Sequence, residues 1–249
     1  MNELARRTAA AGIAIDVGSA RTRAWTPEHG VVVDAPTVAR GGTRKPVHRG
    51  KIIDASAMAD VLGNLVCPRA GGRGRRTVVA TVPVACDEDD RLELLSVLEV
   101  LDPETVMTIT SVKAAALGAR ADLARPLLVV DVGAELTETA LLASGALRSA
   151  RSTALGVSDL GRHLPASQLI QEVAESIIDL MRGDDGPQMV DALDRGILLT
   201  GGGALRPEIT FKLSTQLGAT VQPAPAPHVA ALRGAGAVLQ SARRHPGAV

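Results

Sequence analysis

The chain has 249 residues with 27 Lys+Arg against 27 Asp+Glu, so its formal net charge is zero and no net field draws it to nucleic acid or to an acidic partner. Hydrophobic residues at 46% and charged residues at 22% are ordinary globular usage, in a chain long enough to bury roughly three quarters of its unfolded surface. The aromatic content is unusual: Trp25, Phe211 and no tyrosine, which leaves the core to Val, Leu, Ile and Ala and removes the stacking platforms that single-stranded nucleic acid needs.

Cys67 and Cys86 make neither a disulfide framework nor a metal cluster. Residues 1–12 lack the apolar run of a signal peptide, and no segment approaches the ~20 apolar residues of a membrane span. The expectation is a cytoplasmic protein, with any membrane association made through partners.

In chain order, short apolar runs predict strands at 13–16, 24–26, 31–34, 77–82, 105–109, 127–131, 137–142, 197–200 and 219–222. Helical spacing predicts helices at 57–66, 87–101, 113–119, 168–181, 207–217 and 228–243. Leu169, Val173, Ile177, Leu180 and Met181 form one stripe of the fourth, with Ser167 as its expected N-cap and Gly183 just past its end. Ser56 and Ser158 also read as caps, and the acidic run from Asp87 as a first helical turn that complements the helix dipole. Residues 41–49 and 68–76 are turn-rich, the second holding four arginines, and 223–227 (Pro-Ala-Pro-Ala-Pro) predicts a stiff extended connector. Alternating strands and helices predict an α/β fold with helix-covered mixed sheets. The five histidines are scattered, mostly beside Gly or Pro, and read as surface residues.

Two segments repeat one device. Ala14-Ile15-Asp16-Val17-Gly18-Ser19 and Val129-Val130-Asp131-Val132-Gly133-Ala134 are each a strand ending in Asp, then a Gly turn, then a second strand. Glycine here permits positive φ and leaves no side chain above the turn, so amide N–H groups can face an anion. The Asp can hold Mg²⁺ through water. A third element, Gly196 to Pro207, is a buried strand, three glycines at Gly201, Gly202 and Gly203, then a helix start. Such a turn brings backbone against a nucleotide.

Together these resemble the phosphate-1, phosphate-2 and adenosine loops of the actin, Hsp70 and sugar-kinase superfamily. The chain most resembles MreB-type bacterial actins, through Ile15-Asp16-Val17-Gly18-Ser19-Ala20-Arg21-Thr22, the segments from Gly50, Thr81 and Lys113, and Ile197-Leu198-Leu199-Thr200-Gly201-Gly202-Gly203-Ala204-Leu205-Arg206, over about residues 12 to 240. The resemblance implies a duplicated actin-like (ribonuclease H-like) fold of two core subdomains, 12–122 and 123–243, with tails at 1–11 and 244–249. It implies ATP and Mg²⁺ as ligands. Asp16, Gly18, Ser19, Ala20, Arg21, Asp131, Gly133 and Ala134 would surround the phosphates, Asp16 and Asp131 would flank the metal, and Gly201, Gly202, Gly203, Ala204 and Leu205 would take the adenosine side.

Four departures qualify that expectation. Residues 37–50 and 151–168 are too short for the two small upper subdomains, which are therefore largely missing. Glu135 stands in the phosphate-2 loop, where the family has glycines and threonines. Thr110, Ser111 and Val112 occupy the stretch where the family places a water-activating Glu, and losing a general base typically costs ~10²–10⁴ in rate. The family's apolar membrane loop is replaced by the arginine-rich 69–76, so membrane contact would be at most peripheral.

The resulting expectation is a bacterial cell-shape protein with little or no ATP hydrolysis, a monomer or weak co-polymer. Its partners would be a full-length MreB-type protein or cell-wall synthesis proteins. The alternative is a compact ATPase or small-molecule kinase that uses Glu135 or Glu138. A chaperone or pilus-type reading lacks any substrate-domain sequence.

Overall fold

The computed structural model describes residues 11–42, 44–69, 76–161 and 164–244. The chain forms two compact units: the first is Met1–Val82, Cys86–Ile109 and Ala235–Val249, the second Pro83–Ala85 and Thr110–Gly234.

The first unit is built from β1 (Ala11–Val17), β2 (Arg21–Thr26), β3 (Gly30–Pro36), a small hairpin β4 (Val47–His48) and β5 (Lys51–Ile52), α1 (Ala55–Leu65), β6 (Arg76–Val82), α2 (Glu88–Leu98) and β7 (Pro103–Thr110). Its main sheet runs β3-β2-β1-β6-β7. The first three strands form an antiparallel meander, and β6 returns parallel to β1 after the α1 crossover. Ile13, Ile15 and Val78 pack with Met58, Leu62 and Leu98 from the helices in one buried core. Asp54 caps α1 by accepting from the Ala57 amide at 3.0 Å. Ser56, the cap expected from sequence, lies inside the helix instead. Asp87 and Asp90 form a reciprocal capping box on α2, and Glu88, Asp89 and Asp90 fill its acidic first turn.

The second unit comprises α3 (Ser111–Gly118), β8 (Leu127–Val132), β9 (Thr137–Ala143), β10 (Ala146–Thr153), α4 (Ala166–Met181), α5 (Gly186–Arg195), β11 (Ile197–Thr200), α6 (Pro207–Leu217), β12 (Val221–Pro223) and the start of α7 (Ala230–Arg244). Its sheet order, β10-β9-β8-β11-β12, reproduces that of the first unit position by position. The sequence repeat is therefore a repeat of topology. Between the strands, residues 37–54 hold only the β4–β5 hairpin, and 154–165 hold no helix or strand among the described residues.

Several expectations are corrected. The polar strand β10 and the helix α5 escape sequence reading. β10 is an edge strand with no fully buried residue, and α5 begins at Gly186-Pro187, which reads as a turn. α4 starts at Ala166 directly after Pro165, so Ser167 is not its cap. Its inner face is Leu169, Ile170, Val173, Ile177 and Leu180, whereas Met181 is 38% exposed. Ser158 is no helix cap but hydrogen-bonds the Ala134 carbonyl through its own amide. The Pro-Ala repeat is not extended throughout: Ala226 is left-handed and residues Pro227–Val229 form a 3₁₀ turn. The basic loop at 70–75 and His163 and His245 lie outside the described residues.

Candidate functional site

Register places the first Asp-x-Gly device. Val17 faces Thr22 and Asp16 faces Arg23, so Gly18-Ser19-Ala20-Arg21 is the turn of the β1–β2 hairpin. The Gly18 amide donates to the Arg21 carbonyl at 3.0 Å, and in the second unit the Gly133 amide donates to the Leu136 carbonyl at 2.9 Å. The two turns are closed by the same bond.

Neither glycine has positive φ, which corrects the reason given for them. They are needed because a Cβ would sit 3.0 Å from the Arg21 oxygen in one turn and 2.8 Å from the Leu136 oxygen in the other. In the first turn the Gly18 carbonyl accepts from the Thr37 hydroxyl at 2.7 Å, and the Ala20 carbonyl from the Thr37 amide at 3.0 Å. The Ser19 hydroxyl, on a residue 6% exposed, accepts from the Gly50 amide at 3.2 Å. The turn's carbonyls are thus taken up internally, which leaves the Ser19 and Ala20 amides as its uncommitted donors among the described residues.

The second turn is held from behind. Val157 and Ser158 donate their amides to the Gly133 and Ala134 carbonyls at 3.0 and 2.7 Å. Gly156 lies so close that a Cβ there would come within 2.4 Å of the Ala134 carbonyl. Glu135 is only 9% exposed. The three glycines beyond β11 divide by role. Gly201, at φ +81°, has its Cβ position 2.2 Å from the Asp131 Oδ1, and that of Gly203 is 2.3 Å from the Val132 Cγ1. Both are required by close packing onto the end of β8. Gly202 has nothing within 4 Å of its Cβ position. It is the one whose missing side chain leaves open space. Ala204 is buried and Leu205 is 57% exposed.

The second unit therefore gathers Asp131, Gly133 and Ala134 beside Gly201 and Gly203, and the first gathers Asp16, Gly18, Ser19, Ala20 and Arg21. Sequence reading missed two members. Asp16 Oδ1 accepts from the Thr81 hydroxyl at 2.7 Å, and Oδ2 lies 3.3 Å from Arg23 Nη1. Arg23 in turn reaches Asp34 Oδ1 at 3.1 Å, and Arg21 pairs with the same carboxylate. Asp16, Arg23 and Asp34 are direct cross-strand neighbours on β1, β2 and β3. Arg23 could have been found by counting back from the turn. Thr81 could not, because it arrives on a parallel strand across the α1 crossover.

A divalent cation fits Asp16 poorly. Holding hydrated Mg²⁺ needs a carboxylate with charge to offer, and Asp16 is already compensated by a fixed guanidinium. Among the described residues no group of three or more His, Cys, Asp or Glu side chains could hold a metal.

Glu138 faces Asp131 across β8 and β9. Its carboxylate accepts from the Val84 amide and, at 3.4 Å, from the Ser152 hydroxyl. Burial, and secondarily the charge of Asp131, push its pKa up to about 8, against the lowering effect of those hydrogen bonds. At neutral pH it holds its proton. A buried protonated acid does not activate water.

Residues 164–246 match the family model described as MreB/Mbl protein. The structure of MreB 5 of Spiroplasma citri bound to AMPPNP superposes with a TM-score of 0.82, covering 94% of this chain and 97% of that one at 17% identity. The chain has the actin-like fold of MreB 5. MreB5 of Spiroplasma citri bound to ADP gives a TM-score of 0.83 at 18% identity, over 96% of this chain and 98% of that one. A MamK double helical filament gives 0.75 at 15% identity, over 92% and 98%. No curated protein matches the chain in sequence. No described helix of this chain is long and apolar enough to cross a membrane.

Proposed function

We propose that this MreB-like chain is a bacterial cytoskeletal or cell-shape protein that binds nucleotide weakly, hydrolyses ATP slowly or not at all, and acts through protein partners. The observation that carries the reading is a contrast within the second unit. The Gly133 turn and the open Gly202 keep the form of a nucleotide-binding loop, while positions 110–112 offer no carboxylate and Glu138 is buried and protonated. That two similar structures were solved with AMPPNP and ADP supports nucleotide as the ligand class.

On this reading the Ser19 and Ala20 amides face phosphate, and Gly202 to Leu205 border the adenosine. Residues 12–122 and 123–243 are the duplicated halves, with tails at 1–11 and 244–249. The partner is a full-length MreB-type protein or a cell-wall synthesis protein in the cytoplasm. The short connectors at 37–54 and 154–165 favour a monomer or weak co-polymer over a double helical filament such as that of MamK. Isothermal titration with ATP and magnesium, followed by a phosphate-release assay, tests the proposal. Weak binding without release is the expected result, and micromolar affinity with rapid release would sink it.

A further inference from the structure

We infer that the nucleotide bound by this chain is taken without Mg²⁺, because Arg23 already supplies the positive charge at Asp16. The inference rests on the nucleotide-binding reading above and narrows its ligand to the metal-free form.

The geometry is specific. Asp16 is the last acidic residue of β1 before the phosphate turn, and register sets Arg23 directly opposite it on β2. Both carboxylate oxygens are engaged, Oδ1 by Thr81 at 2.7 Å and Oδ2 by Arg23 at 3.3 Å. The Asp16 and Arg23 side chains are 18% and 13% exposed, so water screens their pairing little. Asp34 Oδ1 also lies 3.1 Å from Arg23 Nε, an ion pair without hydrogen-bond alignment, so Arg23 sits between two carboxylates.

A hydrated divalent ion approaching Asp16 would therefore meet a carboxylate already paired with a guanidinium. The attraction that normally brings Mg²⁺ to such a carboxylate is cancelled before the ion arrives. Arg21, at the end of the same turn, is paired with Asp34 and completes a row of alternating charges, Asp16, Arg23, Asp34 and Arg21. Phosphate recognition then falls to the Ser19 and Ala20 amides, which need no metal. A sheet-stabilising ladder alone would leave nucleotide binding as metal-dependent as that of an uncompensated aspartate, and the two readings separate on that point.

The test titrates ADP into the full chain by calorimetry, once in magnesium chloride and once in EDTA. ADP avoids any turnover. Affinity should agree between the two within about threefold, whereas Arg23→Met, which keeps the stem and uncovers Asp16, should bind about tenfold or more tightly with magnesium than without. Wild-type binding that weakens tenfold in EDTA would overturn the inference and leave the nucleotide reading standing. An Arg23→Met protein as indifferent to metal as wild type would overturn it too. Failure of ADP to bind under either condition would overturn the nucleotide reading, and this inference with it. If Arg23→Met does not fold, the wild-type comparison decides alone.

Discussion

Gly234 of α7 and Ala114 of α3 meet backbone to backbone: a Cβ on Gly234 would lie 1.7 Å from the Ala114 carbonyl oxygen. One turn along, a Cβ on Gly118 would lie 1.9 Å from the Ala230 oxygen. The two helices, which occupy equivalent places after the last strands of the repeat, cross with no side chain between them. Gly118→Ala and Gly234→Ala should each lower stability in urea melts by on the order of 3 kcal/mol, since backbone must move to admit the methyl group. A loss below about 0.5 kcal/mol in either variant would show that the crossing is looser than described.

Gly202 is the matched control. Its Cβ position meets nothing within 4 Å, so Gly202→Ala should melt within about 0.5 kcal/mol of wild type. Gly202→Val should also fold, yet weaken ADP in a calorimetric titration by about tenfold by filling the space beside the cradle. Unchanged affinity in the valine variant would remove Gly202 from the site.

Glu138 predicts a pH dependence of stability. Its pKa rises from 4.5 in the unfolded chain to about 8 in the fold, so between those values the folded protein holds a proton that the unfolded chain has lost. Stability is full below 4.5 and falls as pH rises toward 8, by at most about 1.4 kcal/mol per pH unit. Urea midpoints measured in EDTA from pH 5 to 8 should show this decline, and Glu138→Gln, which keeps the neutral amide in place, should flatten it. An equal slope in both proteins would mean that the proton is held elsewhere.

Asp87 offers a smaller effect. Removing the capping box with Asp87→Ala should cost about 1 kcal/mol in the same melts and leave ADP affinity unchanged. A neutral result would assign the start of α2 to packing alone.

Much of the fold was legible because glycine and aspartate mark local geometry that they alone permit. Asp16-Val17-Gly18 and Asp131-Val132-Gly133 announced two hairpins, and the hairpins became two sheets of one topology. What stayed hidden depended on tertiary context. β10 carries Arg148 and Arg151 on an edge that needs no apolar alternation, and α5 opens with Gly186-Pro187 in place of a polar cap. The reason for Gly18 and Gly133 was also hidden, because closeness to a carbonyl three residues on is invisible until the turn is built. Thr81 entered the site across a crossover, and the proton on Glu138 followed from burial that no short motif encodes.

The proposed loss of ATP hydrolysis is tested most directly by a phosphate-release time course with saturating ATP and magnesium at neutral pH, under conditions where calorimetry shows nucleotide bound. Release indistinguishable from buffer is expected. Steady turnover yielding many phosphates per protein, lost on mutation of a residue in either glycine turn, would contradict it.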